Sequence, residues 1–245
     1  MPKRTSSKIP SGAMIIRTYA QLHNEVDAFA HGERNLLVII GPAGTSKSTA
    51  VRNRLVDPRI IEGGARPYRL YMELHENKDR DIVLDDADKV FRDKEGVFLL
   101  KLLTQSVQRK TLQWNSNTAE IRSGDLPAEF TTTSRCMIVA NSWPSDNPDI
   151  HAIESRGHMC YFVPSNEEMH RYAATFDPPL DPEVYQFIGD NLNFLDNLDL
   201  RLYYKAAEIR KTGLRTGHLN QWREYIAAQM MTAEKRAVLG LIKDD

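Results

Sequence analysis

The segment Leu36–Thr49 constrains this chain more than any other part of its sequence. It reads LLVIIGPAGTSKST, in which a short apolar run typical of a buried strand leads into a glycine-containing turn. A loop containing Gly41 and Gly44 can turn backbone N–H groups toward a polyphosphate, and a helix that follows it adds its positive N-terminal end. The segment therefore predicts a strand, a phosphate-binding loop and a helix in that order.

The predicted nucleotide contacts are the residues of the turn and of the helix start: Gly41, Pro42, Ala43, Gly44, Thr45, Ser46, Lys47, Ser48 and Thr49. Lys47 has the reach to contact terminal phosphates, and the Ser48 hydroxyl is suited to Mg²⁺. The sequence departs from the pattern G-x-x-x-x-G-K-[ST] at Ser46, which stands where the second glycine is expected. The alternative is an ordinary strand-to-helix turn whose lysine is solvated.

Carboxylates follow a second apolar run in DIVLDDAD, residues 81–88. Asp85 is the predicted Mg²⁺ ligand, and Asp86 is placed to orient an attacking water, because phosphoryl transfer to water depends chiefly on positioning. Asp88 competes with Asp86 for that role, or is a solvated residue or helix cap. For the whole cluster, the alternative is a surface loop.

The pattern along the chain predicts an α/β protein. The chain has 245 residues, of which 41% are hydrophobic and 27% charged, which excludes a disordered chain. A first helix is predicted over Thr18–Ala30. Predicted strands are Leu36–Ile40, Tyr68–Leu74, Ile82–Leu84, Cys136–Ala140 and His158–Val163, and the predicted helices between them are Ser48–Val56 and Gly96–Val107. Such alternation favours a largely parallel sheet with helices on both faces.

Beyond Ser165 the pattern is entirely helical. Ser165 and Glu168 form a capping-box sequence that opens a helix to about Phe176. Further predicted helices are Pro182–Leu192, Asp199–Lys211 closed by Gly213, Gln221–Met231 and Ala233–Ile242. The predicted organisation is a flexible basic arm over residues 1–13, an α/β nucleotide-binding core over 14–164, and a helical lid with C-terminal helices over 165–245.

Charge and cysteine content indicate a cytoplasmic protein. Thirty-two basic and 33 acidic residues leave a formal charge of −1, so the chain as a whole has no field that attracts nucleic acid. Cys136 and Cys160 lie in apolar segments and are expected to be buried thiols of a reducing compartment. No apolar run approaches the roughly 20 residues that cross a bilayer, so no membrane partner is expected.

In the order and spacing of these motifs, the chain resembles the AAA+ ATPases over roughly residues 36–211. GPAGTSKS resembles Walker A, and IVLDDAD resembles Walker B. CMIVAN, residues 136–141, is similar to the strand that ends in the family's sensor 1, which the resemblance assigns to Asn141. The alternative for Asn141 is a cap of the turn Asn-Ser-Trp-Pro.

The resemblance also implies two arginines of the site. AIESRGHMCYFV, residues 152–163, is similar to the segment in which an arginine finger precedes the last core strand, and this assigns Arg156, with a salt bridge to Glu154 as the alternative and Arg135 as a weaker rival. LDLRLYYKA, residues 198–206, resembles sensor 2 and assigns Arg201, with a surface pair to Asp199 as the alternative.

The fold that the resemblance implies is a five-stranded parallel P-loop core followed by a small all-α lid. It further implies ATP and Mg²⁺ as ligands and a homo-oligomeric ring or filament. The Asp85-Asp86 pair resembles those of replication initiators and helicase loaders of phage or plasmid type. A hairpin is predicted within Arg109–Arg122 around Asn115–Asn117, in a region that touches DNA or polypeptide in related proteins.

These features favour an ATPase that acts in DNA replication, loading or transposition. Candidate DNA contacts are Lys3, Arg4, Lys8, Arg109, Lys110, Trp114, Arg210, Lys211 and Arg215. The alternatives are a protein remodeller with other protein partners, a switch that binds ATP but scarcely hydrolyses it because of Ser46, and a small-molecule P-loop kinase.

Overall fold

The structure is a computed structural model that describes residues 9–62, 66–114, 119–144 and 147–232, without the side chains of Ala119 and Glu120. The described residues divide into two compact units. The first contains residues 9–16, Ala20–Pro42 and Lys47–Phe162, and the second contains Arg17–Tyr19, Ala43–Ser46 and residues 163–232. Each unit is described by itself below.

The first unit is built on a parallel sheet. Its strands, together with those of a small hairpin, are β1 (Met14–Ile16), β2 (Leu36–Ile40), β3 (Arg59–Glu62), β4 (Ile82–Asp85), β5 (Lys110–Gln113), β6 (Glu129–Thr132), β7 (Cys136–Ala140) and β8 (His158–Phe162). The sheet order is β1-β8-β2-β7-β4-β3, and every neighbouring pair is parallel. Every residue of β2 and β7 is buried, as expected where both faces of a parallel sheet are covered.

Helices connect these strands. They are α1 (Tyr19–Ala30), α2 (Lys47–Arg52), α3 (Pro67–Glu76), α4 (Lys94–Leu103), α5 (Ala119–Ser123), α6 (Pro148–Glu154) and a 3-10 helix over Ala87–Arg92. The Asp93 side chain caps α4 by accepting the backbone N–H groups of Glu95 and Gly96. The α/β class and the parallel sheet expected from the sequence are therefore confirmed.

The strand predicted over Tyr68–Leu74 is wrong, because this segment forms α3. Pro67 stands at the helix start, where its missing N–H costs nothing. Leu70, Tyr71 and Leu74 are buried on one face of this helix. In the sequence, the same apolar residues are also compatible with a buried strand. A short apolar run does not distinguish the two conformations.

The sheet has six strands instead of the five implied by the resemblance. The two that were missed, β1 and β3, are the edge strands, with three and four residues and partly exposed side chains. The predicted hairpin is half right, since β5 pairs antiparallel with β6, which begins only at Glu129. The predicted turn at Asn115–Asn117 lies outside the described residues.

The second unit contains helices α7 (Asn166–Ala173), α8 (Pro182–Asp190), α9 (Arg201–Thr216) and α10 (Gln221–Met230), with a 3-10 helix over Leu192–Phe194. Ser165 caps α7 by accepting the Glu168 N–H, as predicted, whereas the Glu168 carboxylate accepts the Tyr19 N–H at 2.9 Å instead of returning to the cap. The helical character expected beyond residue 165 is confirmed for the described residues up to 232.

Two details at the end of this unit differ from expectation or are not described. Gly213 does not end α9, since it is buried inside the helix, and the helix ends before Gly217, whose φ is +82°. The helix predicted over 233–242 and the basic residues of the arm before residue 9 lie outside the described residues.

Both cysteines are free and buried, as the sequence predicted. Burial raises the pKa of the Cys136 and Cys160 thiols to about 12, so both stay protonated and unreactive at neutral pH. In the part of the chain that the structure describes, no helix combines the length and apolar character needed to cross a membrane.

Candidate functional site

The predicted phosphate loop begins at Gly41, directly after the central strand β2. The Gly41 N–H donates to the carbonyl of Ala140 at the end of β7, at 3.3 Å. On the other side, a Cβ at Gly41 would lie 2.1 Å from the backbone oxygen of Phe162 at the end of β8. The backbone passes so close to both neighbouring strands that position 41 accepts glycine alone.

Lys47 opens α2 and is buried, with 5% of its surface exposed. Its Nζ donates to the carbonyl oxygens of Gly41 and Pro42, both at 2.8 Å, and to Oδ1 of Asn141 at 3.3 Å. The ammonium group is therefore held at the carboxyl ends of β2 and β7. A buried cation at this place is suited to a polyanion.

Residues 43–46 of the loop belong to the second unit and have two left-handed backbone positions. Gly44 has a φ of +82°, and its carbonyl accepts the Leu200 N–H at 2.8 Å. Ser46 has a φ of +53°, the conformation that glycine adopts without the cost of a Cβ. Ser46 therefore has the left-handed backbone conformation that glycine would favour at this position, although it departs from the glycine pattern.

The remaining loop residues frame this segment. The Thr45 carbonyl accepts the Tyr19 hydroxyl at 2.8 Å inside the second unit, while Ala43 and Thr49 are exposed. Pro42 contributes its carbonyl oxygen to Lys47, as described above.

Ser48 and Asp85 form a pair of oxygen donors in the first unit. The Ser48 hydroxyl donates to Oδ1 of Asp85 at 2.7 Å, and the Asp85 side chain is 8% exposed. Hydroxyl and carboxylate oxygens are hard ligands that suit Mg²⁺, which commonly uses one or two carboxylates and completes its shell with phosphate oxygens and water. Among the described residues no group of three or more His, Cys, Asp or Glu could hold a metal. The donor set fits a metal shared with a phosphate ligand.

The second oxygen of Asp85 is occupied by a residue that the sequence did not single out. Arg52, in the last turn of α2, donates to Oδ2 of Asp85 at 2.9 Å and also to the carboxylate of Glu62. Burial alone would lower the pKa of Arg52, but its hydrogen bonds to these two carboxylates outweigh that effect and raise the pKa. Glu62 and Asp85 are register partners at the ends of β3 and β4.

Asp86, the predicted water-orienting residue, follows β4 in the left-handed conformation, with φ 55° and ψ 45°. Its Oδ1 accepts a hydrogen bond from Nδ2 of Asn141 at 3.1 Å. Asn141 follows β7, which lies between β2 and β4, so its amide bridges Lys47 and Asp86. Backbone strain of this kind, of order 1–3 kcal/mol, is typical of functional sites.

Asp88, the competitor of Asp86, has a different environment. Its carboxylate accepts the Ser142 hydroxyl at 2.5 Å and the Asn141 N–H at 3.5 Å. These bonds tie the 3-10 helix after β4 to the turn after β7. Asp88 therefore holds the backbone that presents Asn141.

Arg156, the predicted arginine finger, is half-buried and donates to the Lys101 carbonyl at 2.7 Å. Lys101 lies in the last turn of α4, where carbonyl groups lack helical partners and favour a cation. The alternative pair with Glu154 is absent, because Trp143 Nε1 and the His151 ring bond that carboxylate.

Arg201 and Arg135 also have partners of their own. Arg201 pairs with Asp199 at 3.1 Å on the exposed surface of the second unit, which is the alternative that the sequence left open. Arg135 binds the Asp81 carboxylate at 2.5 Å and lies over the ring of Phe29. Since Arg135 precedes β7, it lies at the opposite end of that strand from Asn141.

Two of the candidate DNA contacts are buried, and a third is held in ion pairs. Lys110 is 2% exposed with its Nζ on the Ser134 carbonyl, and Trp114 is 8% exposed among Tyr68 and Tyr71. Arg210 is bound to Asp181 and Glu183. The exposed members of the set within the described residues are Arg109, Lys211 and Arg215.

The first unit thus brings five of the predicted site residues into two hydrogen-bonded groups at the carboxyl ends of adjacent strands: Lys47, Asn141 and Asp86 in one, and Ser48 and Asp85 in the other. The sequence missed Arg52 and Glu62. The pairing of β3 with β4 places Glu62 beside Asp85, but β3 was not predicted from the sequence.

The closeness of Gly41 to β8 leads to a stability prediction. We expect Gly41→Ala to lower the free energy of unfolding by more than about 2 kcal/mol, because the new Cβ meets a backbone oxygen that no rotamer change can move. Gly124→Ala is the control, since its φ of +83° is unfavourable but the space around it is open, and it should cost about 1 kcal/mol. Urea unfolding measures both, and equal losses would show that the strand ends move apart easily.

Comparisons with known proteins give a match among solved structures. No known protein family matches the sequence, and no curated protein matches it. A solved structure that matches is NtrX from Brucella abortus, determined in complex with ATP, with 11% sequence identity and a TM-score of 0.44. The match covers 71% of this chain and 40% of the NtrX chain.

Proposed function

We propose that this protein is an AAA+-type P-loop ATPase that binds ATP with Mg²⁺ and hydrolyses it between the subunits of a homo-oligomer. The observation that carries the proposal is the convergence of Lys47, Ser48, Asp85, Asp86 and Asn141 at the carboxyl ends of β2, β7 and β4. In open α/β sheets, ligands bind at this end of the strands.

Each side chain has a role that its contacts support. Lys47 supplies a buried positive charge for the terminal phosphates, and the loop that starts at Gly41 supplies backbone N–H groups. Ser48 and Asp85 would hold Mg²⁺, which neutralises charge on the phosphates when it is bound. Asp86 orients a water for attack, and the Asn141 amide fixes the direction of the Asp86 carboxylate.

The two arginines enter the proposal differently. Arg156 is proposed to act on nucleotide bound by a neighbouring subunit, where a guanidinium would neutralise charge that develops on the γ-phosphate. Arg201 is proposed to contact phosphate in its own subunit. That role requires the exchange of an exposed ion pair with Asp199, and exposed pairs contribute only about 0–1 kcal/mol.

The macromolecular substrate that we propose for this ATPase is DNA. A DNA role depends on Lys3, Arg4 and Lys8, outside the described residues, and on the exposed Arg109, Lys211 and Arg215. ATP hydrolysis measured against protein concentration, with and without single-stranded and double-stranded DNA, tests both parts. Specific activity that rises with concentration supports a shared site, a further rise with DNA supports a DNA-directed assembly, and tight ATP binding without hydrolysis supports a switch.

Arg156→Ala should retain ATP binding but lose at least about 100-fold of the concentration-dependent turnover, the effect expected for an arginine supplied between subunits. Arg156→Lys keeps a donor for the Lys101 carbonyl without the planar guanidinium, so it should also be inactive. Arg92→Ala, at an exposed position, is the control and should behave as wild type. Full turnover of Arg156→Ala in a verified monomer would reject the role between subunits.

A further inference from the structure

Arg52 is a cation that bonds directly to Asp85, the proposed metal ligand. Asp85 uses both of its oxygens, Oδ1 toward the Ser48 hydroxyl at 2.7 Å and Oδ2 toward Arg52 at 2.9 Å. The Asp85 side chain is 8% exposed, whereas the Arg52 side chain is 40% exposed, so solvent reaches the pair from the side of the arginine. A metal ion coordinated by Asp85 would therefore share the carboxylate with a guanidinium.

A second carboxylate enlarges the cluster. Arg52 also bonds Glu62, whose position in β3 is the register partner of Asp85 in β4. Without Arg52, two neighbouring carboxylates at one strand end would carry two negative charges, an arrangement that attracts divalent cations. With Arg52 between them, one of those charges is compensated.

The Arg52 guanidinium has different effects on the binding of a free metal ion and on the binding of a metal–nucleotide complex. A divalent cation near Asp85 is repelled by Arg52, and at the few ångströms involved this repulsion is large even with partial solvent screening. A metal–nucleotide complex carries a net negative charge, so the same guanidinium does not repel it. Because the two ligands differ in the sign of their net charge, the positive charge of Arg52 lowers the affinity for the free cation but not for the complex.

We propose that Arg52 is a specificity-determining residue that lowers the affinity of the Ser48–Asp85 site for a free divalent cation and leaves the metal–nucleotide complex as the preferred ligand. The proposal rests on the function proposed above. It assigns to Arg52 an electrostatic role, in contrast to a purely structural one in which the arginine only ties α2 to β3 and β4.

The test is a titration of the full-length protein with Mn²⁺, followed by the electron paramagnetic resonance signal of free Mn²⁺, in the absence of nucleotide. Arg52→Gln should bind Mn²⁺ at least about tenfold more tightly than wild type. Arg52→Lys, which keeps the charge, should stay near wild type. Arg54→Gln is the matched control, because Arg54 is a nearby arginine paired with Asp27 and not with Asp85.

Two further measurements locate the effect and separate it from the proposed function. Adding Asp85→Asn to Arg52→Gln should abolish the gain, which assigns the bound Mn²⁺ to this site. In the presence of ATP, the affinity for the Mn²⁺–ATP complex should change far less than the affinity for free Mn²⁺.

Unchanged or weaker binding of free Mn²⁺ by Arg52→Gln would overturn the proposal, as would a gain that survives the loss of the Asp85 carboxylate. An equal gain in Arg52→Lys would also overturn it, because geometry and not charge would then be responsible. If wild type binds no ATP, the ATPase function fails on its own, and the Mn²⁺ titration without nucleotide still reports on Arg52.

Discussion

Replacing Lys47 by alanine is expected to weaken ATP binding by at least about 100-fold, a loss of about 2.7 kcal/mol. The ammonium of Lys47 is buried and lies at the ends of β2 and β7, where it donates to the Gly41 carbonyl and to the Asn141 amide oxygen. A charge-assisted hydrogen bond to phosphate from such a site is stronger than one from a solvated lysine. Isothermal titration calorimetry with ATP measures the effect.

The same lysine also satisfies the carbonyls of Gly41 and Pro42, so the stability of the variant must be measured together with its affinity. Lys47→Met retains the apolar stem and should fold while it loses ATP binding to the same extent. Lys211→Ala, an exposed lysine on α9, is the control and should leave ATP affinity unchanged. Wild-type affinity in a folded Lys47→Met variant would remove the phosphate-loop assignment.

Asp86→Asn is expected to leave ATP binding intact and to slow hydrolysis by about 10²–10⁴-fold, the usual contribution of a group that positions or deprotonates a nucleophile. Asparagine tolerates the left-handed backbone that Asp86 adopts and retains an oxygen for the Asn141 amide. The change therefore removes the negative charge with little effect on geometry. Single-turnover hydrolysis of ATP measures the chemical step directly.

Asp88→Asn distinguishes the two acidic candidates. Its oxygen can still accept the Ser142 hydroxyl and the Asn141 N–H, so we expect most of the activity to remain. The reverse result, with Asp88→Asn inactive and Asp86→Asn active, would transfer the water-orienting role to Asp88. Loss of ATP binding in Asp86→Asn would instead indicate that Asp86 contributes to the nucleotide site itself.

The sequence predicted those parts of the fold that depend on interactions between residues close together in the chain. The runs Leu36–Ile40 and Cys136–Ala140 are continuous, apolar and rich in β-branched residues, and both form strands with those bounds. Ser165 is recognisable as a helix cap because the serine lies three residues before Glu168, whose backbone N–H donates to the Ser165 side chain. Interactions over three or four residues can be read without knowledge of the fold.

The errors occurred where tertiary context decides between local alternatives. The segment 68–74 is apolar enough for a buried strand. In the folded protein it forms a helix that buries one face. The edge strands β1 and β3 are too short to be recognised by periodicity and exist because β8 and β4 offer unpaired edges. Gly213 looked like a helix end but is buried inside α9.

The sequence by itself determined the chemical content of the candidate site: a glycine turn with Lys47 and Ser48, an acidic pair at Asp85 and Asp86, and a polar residue after a strand at Asn141. Only the tertiary structure decided how these groups are joined, because parallel strands distant in sequence end side by side only in the folded sheet. The pairing of β3 with β4 placed Arg52 between Asp85 and Glu62, and tertiary packing removed Lys110 and Trp114 from the surface. Residue types are local information, whereas charge neighbours and burial follow from strand order and register.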